Sequence, residues 1–251
     1  MQIRRLPAAV MAALVLSLAG CAAGPGASTQ AGDSVAAPGA FPAGSVLTYA
    51  TFNAYNGEPR ATVRQVFGPA GSRVEGMDYQ IPPEGGFAVD RPIFVNRVLD
   101  AQGSIVRLER SDGSSVTYDP PMRMMPSPLR PGERFRQTVT ARESDGSPPR
   151  RVIVRAHVTG WETVKVPAGE FRALRVVRDS FLGDQAFHRT ETTRKEIDWY
   201  APSIGAVVRS QEDSFVEDLM SGGGEGGDTL VFQGDWLRWE LQSVSRKGGP
   251  G

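Results

Sequence analysis

From Ser45 onward, apolar and polar residues alternate with a period of two over short stretches, and clusters of Gly, Pro, Asn and Asp separate one stretch from the next. That pattern predicts antiparallel strands with one buried face, and no helical periodicity persists over ten or more residues. The clearest case is Arg151 to Thr159. There Val152, Val154, Ala156 and Val158 are expected to face a core, and Arg151, Arg155, His157 and Thr159 water or a groove. Phe135, Val139 and Ala141 alternate in the same way with Arg134, Arg136, Thr138, Thr140 and Arg142.

Further strands are expected at Val46 to Asn53, Ala61 to Phe67, Ser72 to Tyr79, Ile93 to Leu99, Ile105 to Arg110 and Ser115 to Tyr118. Beyond these, Phe171 to Arg178, Thr190 to Tyr200, Ala206 to Asp213 and Asp235 to Val244 read the same way. Asn56-Gly57, Asp112-Gly113 and Asp145-Gly146 supply turn residues that tolerate positive φ. So many strands exceed one small sandwich. The expected fold is all-β, a large curved antiparallel sheet or an incompletely closed β-barrel, formed by residues 44–251 as one domain. Five prolines between Asp119 and Gly132 rule that stretch out as a central strand, and it is expected to divide the sheet into two halves.

The N-terminus is built differently. Arg4 and Arg5 precede an apolar run from Leu6 to Leu18, then Ala19-Gly20-Cys21. This is the charged, apolar and small-residue order of a secretion signal. As a helix the run would extend only about 20 Å, too short for a hydrocarbon core of roughly 30 Å. Leu18-Ala19-Gly20-Cys21 resembles the lipobox of bacterial lipoproteins. The resemblance implies cleavage between Gly20 and Cys21 and acylation of Cys21, the only cysteine in the chain. The acyl chains would then be the membrane partner. Ala22 stands where an aspartate would signal retention in the inner membrane, so an outer-membrane, periplasm-facing location is implied. Residues 22–43 are nearly all Ala, Gly, Pro, Ser and Thr. Such composition does not bury enough apolar area to offset ordering, so it predicts a disordered tether between the anchor and the domain.

Charge narrows the function classes. Without residues 1–20, 26 basic residues (28 less Arg4 and Arg5) face 28 acidic ones. There is no electrostatic footprint for nucleic acid. His157 and His188, the only histidines, sit in no spacing suited to zinc, and no metal or other cofactor is expected. No G-x-S-x-G elbow is present, and Gly32-Asp33-Ser34-Val35 lies in the tether, where a nucleophile has no fixed base. Gly223 to Val231 fits one copy of a calcium-binding nonapeptide, but a single copy offers part of a coordination shell, and a glycine loop is the plainer reading. Glu212, Asp213, Glu217 and Asp218 form an acidic cluster that reads as a solvated loop face.

Two groups are candidates for a ligand groove. Met122, Met124 and Met125 cluster in the proline segment, where pliable thioethers could ligate Cu(I), fill an irregular gap or form a cavity lid. Trp236 and Trp239, three apart in the final strand, are expected on opposite faces, one of them at a cavity mouth; Trp199 is a third candidate.

Val164-Lys165-Val166-Pro167-Ala168-Gly169-Glu170-Phe171 and Trp199-Tyr200-Ala201-Pro202-Ser203-Ile204-Gly205 resemble V-P-A-G-x-F and W-Y-A-P-x-x-G motifs of bacterial envelope lipoproteins grouped as a domain of unknown function. The resemblance implies a β-rich envelope protein, similar in shape to the open barrels of lipoprotein-localisation factors, which cradle acyl chains. It carries no catalytic residues. The expectation is a non-enzymatic lipoprotein that binds an apolar or amphipathic ligand, such as a lipid or another envelope lipoprotein, or acts as an assembly factor. The alternatives are an interaction module for a glycan or outer-membrane protein, and a hydrolase whose carboxylates come from distant strands.

Overall fold

A computed structural model describes residues 35, 41–80, 89–220, 230–234 and 236–247. Residues 1–20, Cys21, most of the tether and most of the Gly223–Val231 stretch therefore lie outside the described residues. Those described form thirteen strands and no helix. The strands are β1 Val46–Asn53, β2 Pro59–Gly68, β3 Gly71–Gln80, β4 Val89–Leu99, β5 Ile105–Arg110, β6 Ser115–Met122 and β7 Arg134–Glu143. They continue with β8 Arg150–Val166, β9 Gly169–Phe181, β10 Thr193–Ala201, β11 Ala206–Asp218, β12 Leu230–Gln233 and β13 Leu237–Ser245.

Alternation sets the two faces as expected. Along β8, Val152, Val154, Ala156 and Val158 are buried, while Arg151, Arg155 and Thr159 are exposed. Val139 and Ala141 of β7 meet Val152 and Val154 in one core, together with Ile105, Val116 and Tyr118 from β5 and β6. Each fully buried Val or Leu contributes about 1.5–3 kcal/mol.

Every strand from β1 to β10 pairs antiparallel with the next in sequence, and β10 then pairs with β11. Short turns dictate this order. In three of them an aspartate (Asp100, Asp112, Asp145) accepts a backbone N–H two residues on, next to a left-handed glycine. The ring closes through β11–β13 and β13–β1, giving twelve strands in an antiparallel barrel, with β12 appended to β11. The all-β, barrel-type fold expected from the pattern is borne out. Its seam is thin, only four residue pairs between β11 and β13. Beyond those pairs the Ala168 N–H, at the tip of the β8–β9 hairpin, donates to Leu241 O at 3.0 Å, and the Tyr49 hydroxyl donates to Val207 O at 2.9 Å.

Three expectations need correcting. The proline segment is not wholly outside the sheet, because β6 runs through Pro120 and Pro121 to Met122. The missing N–H groups are tolerated there because the ladder to β7 ends at Asp119 and that to β5 resumes only at Met122. Nor does the segment split the barrel, since β6 and β7 pair directly. Residues beyond Met122 fold back against the inner wall. Leu129 is fully buried among Ala156, Val158, Leu174, Val176 and Tyr200.

The second correction concerns the tether. Val35 exchanges backbone hydrogen bonds with Leu129 at 2.7 and 2.8 Å, and Phe41 stacks on Phe67 with ring centroids 4.6 Å apart. These two side chains supply the apolar area that the surrounding Ala, Gly and Pro lack. Third, the acidic cluster is not a loop. Glu212, Asp213, Glu217 and Asp218 all belong to β11, whose alternation separates the first two onto opposite faces.

Candidate functional site

The inward-facing residues do not fill the barrel. Toward the end where β13 begins they leave a cavity of about 510 Å³, within the range of small-molecule sites. Much of its wall is apolar: Val63, Val74, Val95, Ile105 and Leu108 from β2 to β5, Val152 from β8, and Leu237 and Trp239 from β13. Gly76 lets β3 approach Val63 closely on this wall, since a Cβ there would meet Val63 Cγ2 at a tight 3.2 Å. Met122 and Met124 also line it, with the buried Leu129 plug following them in the chain.

Set into this wall is a charged network. Arg178 of β9, 3 % exposed, directs Nε and Nη2 to the two oxygens of Glu196 (2.9 Å each) and Nη1 to Asp198 Oδ2 at 3.1 Å. Its Nη1 also donates to the Met124 carbonyl at 2.7 Å, tying the methionine segment to the wall. Asp198 in turn accepts the Ser210 hydroxyl at 2.7 Å. This is a satisfied buried bidentate pair, which fixes geometry more than it adds stability. Burial works against the Arg178 charge, but Glu196 and Asp198 outweigh it and raise its pKa above the ordinary arginine value. Burial likewise opposes ionisation of Glu196, and Arg178 overrides it, so Glu196 is held below the usual carboxylate range.

Two more groups complete the ionic lining. Arg110 and Arg150 converge on Glu143, Arg110 Nη1 lying 3.1 Å from Oε2 and Arg150 reaching Oε1. Arg194 Nε lies 3.2 Å from Glu212 Oε1, although its N–H is not aimed well enough to count as a hydrogen bond. Burial pushes the Glu212 carboxyl upward; Arg194 opposes this, and the neighbouring Glu196 adds to it.

Arg97 of β4 is different. It lines the cavity in the field of Glu196, Asp198 and Glu212, yet no carboxylate lies within ion-pair distance of it among the described residues, and burial lowers its pKa. Its strand neighbours across the ladders are Ser72 and Leu108. The backbone around it is tightly set, since a Cβ on Gly71 would lie 1.8 Å from the Arg97 carbonyl oxygen.

Of the residues singled out in the sequence, the structure brings Met122, Met124 and Trp239 together on the cavity wall. Met125 packs instead with the core around Leu129. Trp199 is buried in a separate core with Val164, Val166 and Leu241, its indole N–H donating to Glu162 at 2.7 Å. Trp236 does not share the final strand with Trp239. β13 starts one residue later, and Trp236 is exposed, its ring centroid 6.3 Å from that of Tyr55. His157 faces outward from β8, and His188 is exposed. Among the described residues no group of three His, Cys, Asp or Glu could hold a metal. Gly20 and Cys21 lie outside the described residues.

The charged network escaped the sequence reading because β10 inverts the usual pattern. Arg194, Glu196 and Asp198 belong to the inward set, and Lys195, Ile197 and Trp199 to the other. Ile197 and Trp199 on the opposite face from three charges was the legible signal.

No family model and no curated protein matches the chain. Two solved structures are similar to the chain. One, from Parabacteroides distasonis and named as a lipoprotein, is 13% identical with a TM-score of 0.42, covering 85% of this chain and 100% of its own. The other, from Bacteroides fragilis and named as an exported protein with a YmcC-like fold, is 15% identical with a TM-score of 0.43, covering 84% and 100%. At these values neither likeness assigns an activity, a ligand or a location to this chain.

Proposed function

We propose that this chain is an outer-membrane lipoprotein facing the periplasm, anchored through acyl chains on Cys21, whose barrel binds an apolar or amphipathic ligand without catalysing its conversion. The observation that carries the reading is the cavity of about 510 Å³, whose wall joins an apolar surface from β2 to β5, β8 and β13 to a cluster of charged side chains. A barrel made only for rigidity would fill that space with side chains, as its lower part does around Leu129. The lipobox-like Leu18 to Cys21 supplies the anchor. The carboxylates gathered in the lumen are engaged by arginines, which favours binding over hydrolysis.

Native mass spectrometry of the detergent-extracted protein, followed by titration of the delipidated protein with a fluorescent fatty acid, tests this. A co-purifying amphiphile and saturable one-site binding are expected. An empty barrel without saturable binding would overturn the reading.

A second reading, an interaction module for an envelope protein, is favoured by one observation. Leu219, Met220, Leu230, Val231 and Phe232 on and beside the β11–β12 hairpin are all more than half exposed. Crosslinking in intact cells would reveal a stoichiometric partner at that hairpin.

A further inference from the structure

We propose that the ligand of the cavity carries an anionic head, a carboxylate or a phosphate, and that Arg97 holds it. The inference rests on the ligand-binding reading above and names the class of ligand.

The charge of the lumen is unbalanced. Among the cations of the lumen, Arg110 and Arg150 share Glu143, Arg178 takes Glu196 and Asp198, and Arg194 faces Glu212. Arg60 lies at an exposed position. Among the described arginines that line the cavity, Arg97 alone is neither exposed nor within ion-pair distance of a carboxylate. A guanidinium does not shed its proton in a protein, so a charge placed there, which Glu196, Asp198 and Glu212 reach only through space, favours an anion brought in as a direct partner. Its planar fork suits the two oxygens of a carboxylate or phosphate. Val95 on the same strand and Leu108 on the next begin the apolar wall beside it. The head and the tail of an amphiphile thus find adjacent surfaces. Glu212 is no substitute counter-ion, since it already faces Arg194, and burial favours its neutral form.

The test uses the delipidated full-length mature protein and four probes with the same sixteen-carbon chain: hexadecanoate, hexadecyl phosphate, hexadecanol and hexadecyltrimethylammonium. Hexadecanoate or hexadecyl phosphate should bind about 10- to 100-fold more tightly than hexadecanol, as a charge-assisted hydrogen-bonded pair implies. The tighter of the two tells a fatty acid from a phosphate-headed lipid. In Arg97→Gln the preference should collapse while hexadecanol affinity is retained; Arg97→Lys should keep part of it, and Arg134→Gln on the outer face all of it. Equal binding of all four probes, or a preference that survives Arg97→Gln, overturns the anionic-head proposal and leaves the ligand-binding reading standing. Binding of none overturns both. The wild-type probe series decides the class of head group even if Arg97→Gln fails to fold, and the conservative Arg97→Lys then tests the role of Arg97.

Discussion

Glu196 of β10 and Glu212 of β11 are direct cross-strand partners, both lining the cavity, and their surroundings drive the two carboxyl groups in opposite directions. Two like charges so placed repel. The barrel separates their roles: Arg178 grips Glu196 from β9 and keeps it ionised, while burial leaves Glu212 inclined to accept a proton.

That split makes Glu212→Gln a test with a definite sign. A carboxyl whose folded pKa is raised contributes stability below its unfolded value near 4.5, and that contribution is lost as pH rises through the folded pKa. The uncharged variant should therefore melt higher than wild type at about pH 8 and show no such advantage at about pH 4. Thermal melts across this range check it. A difference independent of pH would contradict the burial argument.

Arg178→Met should have the opposite character. It strands Glu196 and Asp198 in the wall without their cation, a loss of about 3–5 kcal/mol in urea unfolding at neutral pH. Glu196 is depressed in the fold, so its share of stability is present above the unfolded value near 4.5 and vanishes as pH falls through the folded pKa. The cost of the variant should shrink on acidification.

Much of the architecture was legible because alternation and turn chemistry agree. Val152 to Val158 and the Asp-Gly turns locate their strands and the meander order by themselves. The cavity was less legible. In β10 the pattern that reads as polar outward is reversed, and Arg97, Arg178 and Glu212 come from strands far apart in sequence. Their meeting depends on closure of the ring through only four residue pairs between β11 and β13. Composition likewise concealed Val35 and Phe41, two apolar residues inside a segment that otherwise buries little.

Leu129→Ala tests the inward fold of the proline segment. Leu129 is fully buried among residues of β8, β9 and β10, so truncation should cost about 2–5 kcal/mol in urea unfolding. A change below about 0.5 kcal/mol, typical of a surface site, would mean that this segment lies outside the barrel.

The β11–β12 hairpin separates the two functional readings. Leu230→Ser combined with Phe232→Ser removes exposed apolar area and should change stability by less than about 0.5 kcal/mol per site. Ligand affinity should be unaffected, because neither residue lines the cavity. Loss of an in-cell crosslink with ligand binding intact would assign the hairpin to a partner and the lumen to the ligand.

Whether the lumen binds a ligand is shown by crystallography of the delipidated protein soaked with an ω-brominated fatty acid. A single anomalous bromine site is expected inside the barrel among Val63, Val74 and Trp239, with the carboxylate density at Arg97. Bromine found only against β12 on the outer surface, or an unoccupied lumen at saturating ligand, would contradict it.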